Sequence, residues 1–151
     1  MTRTAGRLHY ERGASIPETA IVIGVLLALI LGIMDFGRAM YTYAFIAQIT
    51  REGARWATVR GSQCALLDNC NATSAQIQTY VRGLSEGLTT PSNINVTATW
   101  PSTSCPAGSS GNAPGCAVSV NTTYQYKFTL IPFLASLPLN ISSTSQMVIS
   151  Q

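Results

Sequence analysis

Thr19–Met34, TAIVIGVLLALILGIM, runs for 16 residues without a charge. As a helix at about 1.5 Å per residue it would extend roughly 24 Å, close to the ~30 Å thickness of a bilayer's hydrocarbon core. Counting back to Ala14 lengthens the run but places Glu18 inside it. Nothing else in a chain of 151 residues could surround so apolar a rod, so a buried core helix is a poor reading. Hydropathy favours a membrane span at about residues 16–36. The h-region of a secretory signal peptide is the competing reading, and Glu18 ahead of the apolar run argues against it.

On the C-terminal side the pattern changes but the helix continues. No proline interrupts Glu18–Arg60. Tyr41, Phe45, Ile49, Trp56 and Val59 fall near one face, with Arg38, Gln48, Glu52 and Arg55 mainly elsewhere, which predicts an amphipathic extension. A continuous helix from about Ile16 to Val59 would be roughly 66 Å long and would stop at Gly61-Ser62. Such a rod cannot bury its sides in its own small domain, so it implies partners. Within the span, Ala20, Gly24, Ala28 and Gly32 form a row of small residues at i+4, which suits close helix packing in a bilayer. Asp35 and Arg38, three apart, read as markers of the membrane interface that could pair on the helix.

Residues 61–151 have a different character. Ser, Thr and Asn occupy 32 of these 91 positions, and all four cysteines lie here. Thr73-Ser74-Ala75-Gln76 can form a capping box ahead of a stripe of Ile77, Tyr80, Val81 and Leu84. Ile94, Val96, Ala98 and Trp100 alternate with polar residues and read as a strand. A longer alternation sets Val118, Val120, Thr122, Tyr124, Tyr126, Phe128 and Leu130 on one face. Ile141–Ile149 reads as a third strand. The intervening Ile131–Asn140 (IPFLASLPLN) is unusually apolar for a loop, and its two prolines oppose regular pairing. It is expected to pack on the stalk or on a neighbouring subunit. The whole predicts an α+β fold: a long N-terminal helix, then a small head of one helix and about three antiparallel strands.

Cys64, Cys70, Cys105 and Cys116 contain no Cys-x-x-Cys, and the single histidine is His9, so no metal site is expected. Four cysteines allow three pairings. Cys64–Cys70 and Cys105–Cys116 are favoured because each closes a polar loop. Disulfides imply an oxidising compartment, which puts the head outside the cytoplasm and the N-terminus inside. Flanking charge decides little: Arg3, Arg7 and Arg12 precede the span, but Arg38 and Arg51 follow it. The net charge of +3 belongs entirely to residues 1–60, with seven basic and four acidic groups. Arg51, Arg55 and Arg60 are too sparse for a nucleic-acid surface. The head's only carboxylates before its C-terminus are Asp68 and Glu86, so catalysis is not expected, and neither is a cofactor or small-molecule substrate.

The junction Glu11-Arg12-Gly13-Ala14-Ser15-Ile16-Pro17-Glu18 has a bland reading, because Ser15-x-x-Glu18 is a possible capping box with Pro17 in the first turn. It also resembles a type IV prepilin processing site: a basic leader ending in Gly, with Glu five residues later before an apolar helix. The longer stretch ERGASIPETAIVIGVLLALILGIMDFGRAMYTYAFIAQITREGARWA resembles the N-terminal signature of TadE-like proteins. That likeness is good over Gly13–Ala57 and loose over Ala117–Gln151. It departs from the family at Ile16-Pro17-Glu18-Thr19-Ala20, where Val-Glu-Phe-Ala is commoner.

The resemblance implies a pilin-like fold and three regions: a leader at 1–13, a helix at 14–60 and an extracytoplasmic head at 61–151. It implies cleavage between Gly13 and Ala14 by a prepilin peptidase, with Glu18 neutralising a neighbouring subunit's N-terminus during assembly. The expected role is a minor pilin or pseudopilin of a Tad (Flp-type) pilus, single-pass in a bacterial inner membrane, with other pilus subunits as partners. Two alternatives stand beside it: an anchored surface-binding adhesin module, and an ordinary secreted protein.

Overall fold

The computed structural model describes residues 15–88, 91–109, 111–128 and 138–150. Helix α1, Ser15–Thr58, is a single rod of 44 residues. A second helix α2, Ser74–Leu84, and three strands, β1 (Ile94–Thr99), β2 (Ala117–Tyr126) and β3 (Leu139–Val148), form the head. The sheet is antiparallel with β2 in the centre, in the order β1-β2-β3. This is the expected α+β, pilin-like layout. Three boundaries differ: β1 ends before Trp100, β2 ends at Tyr126, and β3 begins at Leu139 inside the segment read as a loop. Thr129, Leu130 and residues 131–137 lie outside the described residues.

Each element ends where its backbone groups find other partners. The last carbonyls of α1 would be orphaned. Arg60 closes two of them, its amide donating to Ala57 O at 3.1 Å and its guanidinium to Trp56 O at 3.3 Å. Ser150 closes a third, donating from its amide to Thr58 O at 3.0 Å and tying the end of β3 to the end of α1. At α2 the capping box forms: Thr73 N donates to Gln76 Oε1 at 2.9 Å, and Gln76 N donates to Thr73 Oγ1 at 3.4 Å. The Gln78 side chain donates to Val96 O at 2.7 Å, joining α2 to β1.

The strands alternate as their sequence requires. Val118, Val120, Thr122, Tyr124 and Tyr126 face inward beside Ile94, Val96 and Ala98, with Ile141 and Ile149 also buried. The buried face of α1 is not the expected one. It consists of Asp35, Ala39, Thr42, Ile46, Ile49, Thr50, Gly53, Ala54 and Ala57. Of the residues expected there only Ile49 is buried; Phe45, Trp56 and Val59 are half-buried, and Tyr41 is exposed. Volume decides this. The sheet already supplies large inward side chains, so the covered face of α1 is mostly small residues around Ile46 and Ile49. At Gly53 a Cβ would collide with Val81 Cγ2 of α2. In α2 the stripe is narrower than expected: Ile77 and Val81 are buried, Tyr80 is half-buried and Leu84 is exposed.

Thr122 lies at the middle of β2, fully buried, and its hydroxyl has no hydrogen-bond partner among the described residues. A buried unsatisfied hydroxyl costs about 1–3 kcal/mol, and valine has nearly the same shape. Thr122→Val is therefore expected to raise the unfolding midpoint in urea with no change in slope. A lower midpoint would show that the hydroxyl is satisfied in solution.

Candidate functional site: the stem and its junction with the head

Along the first part of α1 every residue from Ile16 to Leu31 is exposed. Ile16, Ile21, Val22, Leu29, Ile33 and Met34 are all exposed, as are most of the large side chains between them. From Ile16 to Met34 the helix extends roughly 28 Å, the thickness of a hydrocarbon core. By length and composition α1 is a candidate membrane span. A helix apolar on all sides is stable only in lipid or among other helices.

Glu18 is in the first turn of α1 and is exposed. A carboxylate there is favoured by the partial positive charge of the helix N-terminus. Ser15, the expected cap, is already the first helical residue of α1, and the Gly13-Ala14 bond lies outside the described residues. Ala20, Gly24 and Ala28 are exposed and Gly32 is half-buried. A Cβ at Gly24 would meet nothing within 4 Å, so the small-residue row presents a shallow furrow along the rod.

The head begins to cover the stem at Asp35, which reads in the sequence as a marker of the membrane interface. Asp35 is only 1% exposed. Tyr126, at the end of β2, donates its hydroxyl to the Asp35 backbone carbonyl at 3.3 Å, and Phe128 packs edge-on against Tyr126. Burial pushes the Tyr126 phenol above its usual range; exposed Arg38 opposes this, while Asp35 and Tyr124 add to it. The phenol therefore stays protonated at neutral pH and remains a donor. Asp35 thus lies buried at the foot of the head, while Arg38 is exposed. This contact escaped sequence reading, although Asp35, Ala39, Thr42, Ile46 and Ile49 repeat at alternating steps of four and three.

At the other end of the head the cysteines are paired. Cys64 is bonded to Cys70 and Cys105 to Cys116, with Cα–Cα distances of 5.3 Å and 4.0 Å. The two loops are joined by Ser62 N donating to Asn112 O at 2.8 Å.

An apolar rod with an acid in its first turn, continuous with an α+β head, is the geometry against which similarity to known proteins can be set. Residues 13–55 match the family of TadE-like proteins. Over those residues the stem is similar to TadE-like proteins. The match begins at Gly13 and ends within the part of α1 that carries the head, so it includes Glu18, the small-residue row and most of the seam of small side chains. It does not include the sheet or either disulfide loop. No curated protein and no solved structure matches the chain significantly. TadE-like proteins are structural and associated with the Tad pilus. Among the described residues α1 is the one candidate membrane span, which fits a single-pass membrane protein.

Proposed function

We propose that this chain is a minor pilin or pseudopilin, a structural subunit for assembly of a Tad (Flp-type) pilus. In this reading a prepilin peptidase cleaves between Gly13 and Ala14. The mature protein then sits in a bacterial inner membrane with its head on the extracytoplasmic side. The observation that carries the reading is the TadE-like stem itself: an exposed apolar rod with Glu18 in its first turn, rigidly continuous with the head.

A carboxylate entering lipid is costly unless it is paired. The amine freed at Ala14 supplies a cation, and in an assembly a neighbour's amine can be that cation. The bare furrow along Ala20, Gly24 and Ala28 would let neighbouring stems approach closely.

N-terminal sequencing of the mature protein separates the alternatives. A start at Ala14 supports the pilin class, a start near Met40 identifies a secreted protein, and an intact Met1 leaves a plain anchor. Glu18→Ala should be processed and inserted normally yet recover at least about tenfold less with other pilus components in co-purification, on the order of 1.4 kcal/mol or more per contact. Undiminished co-purification of that variant would overturn the assigned role.

A further inference from the structure

Both tryptophans of the chain lie at one pole of the head, the pole farthest from the apolar end of α1. Trp56, near the end of α1, stacks on Tyr80 of α2 with ring centroids 5.1 Å apart, and the Arg60 guanidinium lies 4.3 Å from the Trp56 ring centre. These two rings line an open hollow of about 450 Å³, with Asn69, Ala75, Gln76 and Thr79 as its other walls. Trp100, just past β1, lines a second hollow of about 290 Å³ with Asn71, Thr73, Ser74 and Asn112. Residues 69–76 form the ridge between them, contributing side chains to both sides. Among the described residues, no charged side chain lines either hollow.

The walls are held in place before any ligand arrives. Trp100 Nε1 donates to Asn112 Oδ1 at 2.9 Å, and Asn112 Nδ2 donates to Ala72 O at 2.9 Å. Gln76 Nε2 donates to Asn69 Oδ1 at 3.2 Å, Arg60 Nε donates to Asp68 O at 3.0 Å, and the Cys64–Cys70 disulfide closes the loop they hold. Little ordering entropy is then left for binding to supply. Asn69, Asn71, Thr73 and Thr79 remain exposed, offering amide and hydroxyl groups around half-buried aromatic rings.

That combination selects a ligand chemistry. Arg60, the cation over the Trp56 ring, is already bonded to Asp68 O and Trp56 O, and among the described residues no charged side chain lines the hollows themselves, so a phosphate, carboxylate or ammonium would gain little there. A purely apolar ligand would strip water from the amides without replacing their hydrogen bonds. A pyranose ring fits both halves: its C–H face packs on an aromatic ring while its hydroxyls exchange hydrogen bonds with amide and hydroxyl side chains. We propose that this pole binds a neutral oligosaccharide, with one ring at Trp56–Tyr80, another at Trp100, and the chain crossing the ridge of residues 69–76. The site forms where the end of α1 meets the head and does not depend on whether the stem enters a pilus.

The test uses the full chain in zwitterionic micelles free of glycoside detergents. Saturation-transfer NMR is recorded with maltotriose, cellotriose, mannotriose and triacetylchitotriose, and with sialyllactose as an acidic comparison. At least one neutral trisaccharide should receive saturation on its ring C–H protons, with Kd on the order of 1 mM. Tyr80→Ala and Trp100→Ala should each weaken it at least about fivefold, by roughly 1 kcal/mol. Because those rings also pack on the head, Asn69→Gly and Thr79→Ala serve as fold-neutral variants; Gly keeps the left-handed backbone of Asn69, whose φ is 59°. Both should weaken binding while the unfolding midpoint stays unchanged. Three results would each overturn the proposal: no transfer to any neutral sugar, transfer that survives all four substitutions, or stronger transfer to sialyllactose than to every neutral sugar.

Discussion

Gly53→Leu is expected to lift α2 off the stem and destabilise the head by about 3 kcal/mol, the upper part of the usual range for overpacking. For a unit of this size that lowers the thermal midpoint by roughly 15 °C. Gly53 faces Val81, and even a Cβ would meet Val81 Cγ2. Val81 is fully buried beside Ile77, so it has no empty volume to move into. Through Gln78 the same helix is bonded to β1, so a displaced α2 also loosens a strand edge. Gly53→Ala sets the same collision against about 1 kcal/mol of gained helix propensity, and should cost much less than leucine. The pair gives a further check. Truncating Val81 to alanine should hurt the native protein but partly rescue Gly53→Leu, because the two changes share one space. A leucine variant with an unaltered midpoint would show that α1 and α2 do not pack at this residue.

Removing the Cys105–Cys116 bond, by changing both residues to alanine, should cost about 3 kcal/mol. The sequence separation is 11, so the cross-link restricts a substantial loop of the unfolded chain. Cys116 is also fully buried at the foot of β2. There Gly115 N donates to Ile149 O at 2.9 Å and Ile149 N donates to Cys116 O at 2.8 Å, extending the pairing of β2 and β3 beyond the strands themselves. Losing the bond therefore frays the central strand as well as freeing a loop. The Cys64–Cys70 bond has a separation of 6 and partners that are not buried, so its removal should cost less, about 2 kcal/mol. Denaturant midpoints of the two double variants should fall in that order. The reverse order would mean that the 61–72 loop carries more of the head's stability than its exposure allows.

What could be read from the chain, and what could not, divides by the range of the interaction. The length of α1 was legible because its causes are local: an absence of proline and a long apolar run ending at Gly61-Ser62. The Thr73–Gln76 capping box was legible for the same reason, since its donors and acceptors lie within four residues of one another. Strand alternation was legible in β1 and β2, where successive side chains meet opposite environments. The seam of α1 was not. Aromatic residues such as Tyr41 and Trp56 draw the eye as core candidates, yet the space beneath the helix is filled from the sheet by Val118, Val120 and Tyr126. How much room a helix has depends on what faces it, and no window along α1 contains that information. The burial of Asp35 was illegible for the same reason, because the residue that meets it, Tyr126, lies 91 positions away.

The candidate sites divide likewise. Glu18 and the row of small residues are features of one helix and are visible as spacing. The two hollows at the far pole assemble from α1, α2, the end of β1 and both disulfide loops, and only the fold brings Trp56 and Trp100 to the same end. By itself the sequence determined an apolar stem and a polar, cysteine-bearing head, because hydropathy and local hydrogen bonding act along the chain, and it carried the likeness of the stem to TadE-like proteins. Tertiary structure alone decided which face of the stem is covered and which aromatic rings stay open to a ligand. Those choices depend on the volumes of side chains that meet only after the chain has closed on itself.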